Sequence, residues 1–436
     1  MSNMTNVNLK VTAKNKVVIQ KGEEKLHDIY AVKNVNKKKR LLIGIDGGST
    51  QTRVLCIDNL EEPDTTLYSI PSVSSFVVKN LEIRKQGENL YDLMDSYITN
   101  LESSAEPIFT KERVIRGTKK VDYNGTEERI SSTNQKIFSK IFYINLIDAI
   151  GYALVQKYTE IPKEIDVILG VALPPDDRAS QANLDKFDSI INNSFLWANK
   201  ELGIEVKINI LGNIVKTEPE SFMVAYHTIQ EEDVPEVELH INAGGRSIGV
   251  ELLVNGRAID SVSKTLAYGG ASMIEDLGNL ISKSEGGRKP SNKALSEAIK
   301  TGLLKIGNST KPIENYIRAI KKQYADSIYN DIIKEVFDVQ REITLKDVNI
   351  ISVSGGVFEE GECEISVADY LEENFKYSTP ETDFVYIEDN YIPLGLAFAL
   401  FNEYGGFLED SNDEEVVSPV EEEEEVEVAI EGQTDI

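Results

Sequence analysis

One pattern occurs twice in the chain and restricts its fold more than any other feature. It is an apolar strand ending in a polar residue, then a glycine turn, then a second apolar strand. The first copy runs Leu41-Leu42-Ile43-Gly44-Ile45, then Asp46 and the turn Gly47-Gly48-Ser49-Thr50-Gln51, with Arg53 ahead of Val54-Leu55-Cys56-Ile57. The second lies in "EVELHINAGGRSIGVELLVNGR" (236–257), where Asn242 replaces the aspartate and the turn is Ala243-Gly244-Gly245-Arg246-Ser247. After each hairpin, strand-like runs alternate with segments of helical period. That alternation predicts an α/β class built from two similar halves.

The runs between the hairpins set the expected boundaries. "IFYINLIDAIGYALVQKY" (141–158) has helical period, and "EIDVILGVALPP" (164–175) reads as a buried strand stopped by Pro174-Pro175. "VNIISVSGGVFEE" (348–360) is a strand entering a glycine pair, and "YIPLGLAFALFNEY" (391–404) is an apolar helix with small residues at Gly395 and Ala399. The expected organisation is a basic arm at 1–40, a first domain at 41–217 and a second at 218–390. Smaller inserted subdomains are expected at about 71–140 and about 266–345. A closing helix at 391–408 returns to the first domain, and an acidic tail at 409–436 reads as disordered.

At 436 residues the chain has room for two domains, and its net charge of −27 argues against direct, nonspecific DNA binding. The charge is uneven: the arm ends in "KNVNKKKR", whereas 409–436 holds acids and no Lys or Arg. No run of about 18 apolar residues is present, so no membrane span is expected, and the polar N-terminus lacks the core of a signal peptide. Cys56 and Cys363 read as buried thiols of a reducing cytosol. His27, His227 and His240 are scattered without ligand spacing, which argues against a zinc site or a histidine-dependent triad.

Neither hairpin has the lysine-bearing phosphate loop or the G-x-G-x-x-G of dinucleotide sites. Their turns nevertheless expose successive backbone N–H groups, a concave donor array suited to anions. Ser49, Thr50 and Ser247 add hydroxyls, and Arg53 adds positive charge. Two such turns facing across a cleft would hold a polyphosphate from both sides. Asp46 would hold Mg2+ through water, because Mg2+ gives up its hydration reluctantly. Ser354, Gly355 and Gly356 would let a nucleoside come close.

These elements, in this order, resemble the actin, sugar-kinase and heat-shock-chaperone ATPase superfamily, and within it the ParM-type bacterial actins. The resemblance covers roughly residues 41–408. "IDGGSTQTR" is similar to the first phosphate hairpin, "INAGGRSIGVELL" to the second, and "VSGG" to the adenosine loop. The resemblance implies two RNase-H-like domains around a central cleft for ATP (or GTP) and Mg2+. Gly47, Gly48, Ser49, Thr50, Gln51, Arg53, Gly244, Gly245, Arg246, Ser247, Ser354, Gly355 and Gly356 would then hold the nucleotide, with Asp46 at the metal.

"EPESFMVAYH" (218–227) is similar to the segment that carries the catalytic glutamate, which places that role on Glu220. Glu218 is separated from it by Pro219 and points elsewhere if the segment is extended. Relatives carry an aspartate where this chain has Asn242, so slow hydrolysis is expected. The implied function is a cytoplasmic, polar filament of the chain itself, linked by a DNA-bound ParR-like adaptor to a plasmid or other replicon. A small-molecule kinase or phosphatase of the same fold is the alternative, as is a nucleotide-gated scaffold that does not hydrolyse.

Overall fold

Both hairpins initiate sheets, and the two sheets share one strand order. The computed structural model describes residues 19–20, 32–48, 51–59, 67–71, 74–76, 94–101, 112–116, 126–128, 136–200, 202–230, 234–306, 309–339, 342–358, 366–387, 391–409 and 414–415. In the first sheet, β1 (Lys33–Gly47) runs antiparallel to β2 (Gln51–Ile57), which pairs with β3 (Leu67–Pro71). On its other side β1 runs parallel to β4 (Glu160–Leu173), and β4 runs parallel to β5 (Ile204–Thr217). The order is β3-β2-β1-β4-β5.

The second sheet repeats this arrangement. Here β6 (Val237–Ala243) runs antiparallel to β7 (Ile248–Val254), which pairs with β8 (Lys264–Leu266). On its other side β6 runs parallel to β9 (Ile350–Ser354), and β9 parallel to β10 (Asp383–Ile387). Hairpins need only a tight turn, whereas each parallel neighbour needs a crossover. Helix α1 (Lys140–Lys157) precedes β4, and α2 (Glu218–Gln230) leads from the first sheet into the second. Helices α3 (Gly270–Glu285) and α4 (Glu314–Ile332) precede β9, and α5 (Val367–Ser378) precedes β10. The last long helix, α6 (Ile392–Tyr404), returns to the first sheet.

Three apolar clusters follow. One joins the first sheet to α1, centred on Phe142, Tyr143, Phe187 and Trp197. A second joins the other sheet to α3, α4 and α5. The third lies between them, where Leu42, Ile168 and Ala172 meet Phe222 and Met223 of α2 and Leu396, Ala397 and Leu400 of α6. Gly44 and Gly170, register partners on β1 and β4, give α6 room to seat: a Cβ on Gly44 would lie 2.5 Å from the Pro393 carbonyl oxygen, and one on Gly170 3.0 Å from Leu400 Cδ1. Strands covered on both faces read as unbroken apolar runs, which is why 41–45 and 167–173 do not alternate.

Two expected boundaries shift. Residues 33–40, read from sequence as part of an arm outside the fold, form the first half of β1. Their lysines are cross-strand partners rather than a solvated run: Lys33 pairs with Glu160 at 2.8 Å, and Lys38 with Asp166 at 3.0 Å. The backbone of Glu414–Glu415, expected in a free tail, pairs antiparallel with Lys37–Lys38. The segment expected to insert at about 71–140 contributes strands to the same sheet: Met94–Asn100 pairs with Ser194–Asn199, which itself pairs with β5. Residues 1–18, 21–31 and 416–436, and with them most of both tails, lie outside the described residues, as does Cys363. Cys56 is buried.

Candidate functional site

The polar residues that end the strands meet at one edge. Asp46 ends the apolar part of β1, Asn242 lies near the end of β6, and Ser354 ends β9. In α/β sheets this carboxyl edge is where ligands bind. Asp46 and Arg53 are direct register partners across the first hairpin, with Arg53 Nη1 3.2 Å from Asp46 Oδ2. Arg53 thus reaches the aspartate of its own hairpin. Gly47 is needed for packing as well as for turning, since a Cβ there would lie 2.7 Å from the Phe142 ring. Ser49 and Thr50 lie outside the described residues, as does the side chain of Gln51.

The second turn is braced from behind. Gly244 N–H donates to the Ser247 carbonyl at 2.9 Å. The Gly244 and Gly245 carbonyls accept from Gly270 and Ala271, at 3.1 and 2.7 Å, where α3 begins. A Cβ on Gly269 would lie 2.6 Å from the Arg246 backbone, so only glycine fits. The sequence signal for this brace is the pair Gly269-Gly270 in "YGGAS". With their carbonyls turned back to α3, residues 244–247 remain half-exposed at the strand edge. Gly355 takes φ of 103°, and a Cβ there would meet the Ala243 carbonyl oxygen at 2.4 Å. That conformation folds the third glycine loop against the end of β6 and leaves Gly356 exposed.

Helix α2 sends the two glutamates of its first turn in different directions. Residues 218–230 are helical from the first residue, not extended. Thr217 Oγ1 accepts from the Glu220 backbone N–H at 3.0 Å and donates to Glu251 Oε2 at 2.5 Å. Thr217-Glu218-Pro219-Glu220 has the T-x-x-E spacing of a helix start, with Glu220 at its third position. The Glu220 carboxylate pairs with Lys216 at 2.7 Å, toward the flank of β5. Glu218 is the acid that faces the strand edge. Its Oε2 accepts from Asn242 Nδ2 at 3.4 Å, and its Oε1 is ion-paired to Lys136. Sequence reasoning set Glu218 aside in favour of Glu220 and missed Lys136, which sits in a polar stretch without period, "SSTNQK".

Lys136 gathers three acids. Its backbone N–H donates to Asp177 Oδ2 at 2.8 Å, and its ammonium interacts with Glu218, Asp46 and Asp177. Burial disfavours the ammonium, but these three carboxylates outweigh that cost and raise its pKa above the ordinary lysine value. Burial also acts on Asp177, pushing its carboxyl up to about 6 although Lys136 pulls the other way. Asp177 Oδ1 is buried without a hydrogen-bond partner. Contacts run Lys136–Glu218–Asn242–Ser354, and the attraction of Lys136 for Asp46 extends this line from the second glycine hairpin toward the first.

This gives a pH-dependent expectation. A carboxyl raised from 3.8 to about 6 binds its proton more tightly in the folded state than in the unfolded chain. Its stabilising contribution is therefore complete below about pH 4 and is lost as pH rises through about 6. Asp177→Asn keeps an acceptor for the Lys136 N–H and removes the buried charge. It should raise stability above pH 7 by about 2 kcal/mol and have little effect at pH 4, as read by urea unfolding at both values. A variant no more stable at high pH would show that Asp177 is not a buried charge.

Among the described residues no helix is long and apolar enough to cross a membrane. Among them, too, no three His, Cys, Asp or Glu side chains gather as metal ligands. No protein-family profile matches the chain, and no curated protein does. Solved structures match over most of its length. An archaeal actin homologue is 16% identical with a TM-score of 0.60, covering 83% of this chain and 99% of its own. ParM from Bacillus thuringiensis with ATP is 13% identical at 0.56, covering 84% and 99%. A 15-stranded ParM filament from Clostridium botulinum is 14% identical at 0.56, covering 83% and 99%. With its twice-repeated strand order and glycine hairpins meeting at one edge, the chain has the actin-like fold that ParM and archaeal actin homologues share.

Proposed function

We propose that the chain binds a nucleoside triphosphate, ATP or GTP, between its two glycine turns and assembles into a polar filament whose lifetime depends on that nucleotide. The observation that carries this reading is the line Asp46–Lys136–Glu218–Asn242 spanning the gap between two equivalent hairpins. Phosphates seated on the N–H groups of Gly47, Gly48, Gly245, Arg246 and Ser247 would meet Arg53 on one side and Glu218 on the other. Ser354, Gly355 and Gly356 would receive the nucleoside. Mg2+ binds through one or two carboxylates, water and phosphate oxygens, so a crowded ligand group is not required. Asp46 and the unpartnered Asp177 Oδ1 are the oxygens suited to it. When bound, the ion would neutralise phosphate charge.

Hydrolysis needs a water held in line by an acceptor. Glu218, ion-paired to Lys136 and hydrogen-bonded by Asn242, is the acceptor this geometry supports, in preference to Glu220 at the helix cap. Asn242 adds shape and hydrogen bonding but no charge, which supports slow turnover and persistent filaments. Head-to-tail stacking leaves open ends, and a DNA-bound, ParR-like adaptor at those ends would move a plasmid or other replicon through the cytoplasm.

The test is light scattering with phosphate release. Scattering should rise on adding ATP-Mg or GTP-Mg, stay flat without nucleotide, and decay only as phosphate appears. Asp46→Ala should weaken calorimetric binding of the Mg-nucleotide by about tenfold or more. Flat scattering with rapid turnover would favour a soluble enzyme of the same fold, and unchanged affinity in Asp46→Ala would remove the first hairpin from the site.

A further inference from the structure

A buried polar chain runs behind the site. Glu238, His240 and Asn242 occupy alternate positions of β6 and so share one face. The parallel register of β9 sets Ser352 beside His240 and Ser354 beside Asn242. His227 of α2 closes the far end. The contacts are continuous: His227 Nε2 to Glu238 Oε2 at 3.0 Å, Glu238 Oε1 to Ser352 Oγ at 2.8 Å, and Ser352 Oγ to His240 Nδ1 at 2.7 Å. They go on from His240 Nε2 to Ser354 Oγ at 3.0 Å, and from Ser354 Oγ to Asn242 Oδ1 at 3.2 Å. All six side chains are buried, and Phe222 stacks on the His240 ring at 4.8 Å. A strand face under a helix is ordinarily apolar, so six polar groups persist there only if their hydrogen bonds are satisfied.

Counting hydrogens fixes the direction of the chain. Glu218 is ion-paired to Lys136 and accepts only. Asn242 therefore turns its NH2 toward Glu218 and its Oδ1 toward Ser354, which donates to it. The Ser354 oxygen then accepts, so His240 carries its hydrogen on Nε2. Burial keeps this ring neutral, pushing its pKa down to about 3, so Nδ1 is bare and accepts from the Ser352 hydroxyl. The Ser352 hydroxyl is flanked by a second acceptor, Glu238 Oε1 at 2.8 Å. The other Glu238 oxygen accepts from His227 Nε2–H. His227 Nδ1, buried without a hydrogen-bond partner, fits a bare ring nitrogen. Reversing the links from His240 Nε2 through Ser354 would point the Asn242 oxygen at Glu218, acceptor against acceptor.

We infer that His240 is a positioning residue for the cleft: as the Nε2–H tautomer, working through Ser354, it holds the Asn242 amide with its NH2 toward Glu218. This rests on the hydrolytic reading of that cleft.

The test uses full-length protein labelled with 15N-histidine, alongside phosphate release and nucleotide calorimetry. Three histidines keep the spectrum simple. His240 should show a protonated Nε2 and a bare Nδ1. Glu238→Gln removes the carboxylate that competes with His240 Nδ1 for the Ser352 hydrogen and should keep both the tautomer and the turnover. Ser352→Ala removes the donor to Nδ1; it should mix the tautomers and cut kcat by about tenfold while leaving nucleotide affinity unchanged. A wild-type ring protonated on Nδ1, a Glu238→Gln variant that changes tautomer, or a Ser352→Ala variant with normal kcat would each overturn the inference. A wild-type protein that neither binds nor hydrolyses nucleotide would overturn the hydrolytic reading instead, and the wild-type assay alone reports that.

Discussion

Glu218→Gln should lower nucleotide hydrolysis by about a hundredfold or more while leaving nucleotide affinity within a few-fold of wild type. Glutamine keeps the shape and can still accept from Asn242, but it cannot take a proton from an attacking water. Alanine is the poorer choice. It would leave the buried Lys136 ammonium and the Asn242 amide without the acceptor oxygen that glutamine keeps, and breaking a buried pair outright costs about 3–5 kcal/mol. Lys136 retains Asp46 and Asp177 beside Glu218→Gln, so the variant should fold. Glu220→Gln is the paired control. Glu220 sits at the third position of α2 and pairs with Lys216, so its loss should cost stability by about 1 kcal/mol and leave turnover near normal. Single-turnover phosphate release with calorimetry separates the two. If Glu220→Gln is the slow variant and Glu218→Gln the normal one, the assignment drawn from resemblance is right and α2 must rotate when nucleotide binds.

The contrast between these two glutamates shows where sequence is legible and where it is not. The hairpins could be read because their signal is local: apolar runs, a polar end residue and glycines lie within about a dozen residues. Their recurrence then implied two sheets of one kind. Glu218 and Glu220 lie two apart: an extended backbone would turn both to one face, whereas a helix sends them to opposite sides, so only one faces the cleft. That was decided by Thr217, whose hydroxyl caps the helix. Lys136 could not be found, since nothing near it in sequence shows that a tertiary contact with Glu218 awaits. Lys33 to Arg40 looked like a solvated run for the same reason: their acidic partners, Glu160, Glu164 and Asp166, are more than a hundred residues away. The histidines were read as scattered by spacing, yet His227 and His240 meet through Glu238 and Ser352. One signal was available. "EVELHIN" alternates Glu238, His240 and Asn242 with Leu239 and Ile241, as a half-solvated strand would. The structure buries that polar face, and a buried polar alternation marks a hydrogen-bonded network rather than a surface.

Gly395→Ala should be the most destabilising glycine-to-alanine change among the described residues. A Cβ at Gly395 would lie 1.7 Å from the Ser221 carbonyl oxygen and 2.6 Å from its carbonyl carbon. Both are backbone atoms of α2, so no side-chain rotation relieves the clash, and α2 and α6 must separate. Their contact is the third apolar cluster, through Phe222, Met223, Leu394 and Phe398, and it ties the two sheets together. Prying it apart leaves poorly packed volume around the clash, and core changes of this kind cost about 3–5 kcal/mol. In a domain of this size each kcal/mol lowers the melting temperature by about 2–4 °C, so a drop of about 10 °C is expected. Gly406→Ala is the control, because a Cβ there meets nothing within 4 Å and should leave melting unchanged or slightly raised. A Gly395→Ala protein that melts with the wild type would mean that the helices do not cross this closely. The variant also tests the cleft from behind. Ser221 follows Glu218 by less than one helical turn, so any displacement of α2 at Gly395 moves the acid that faces Asn242. Variant protein that still folds at low temperature should therefore bind nucleotide and hydrolyse it more slowly, with the same loss of turnover that Glu218→Gln produces by chemistry alone.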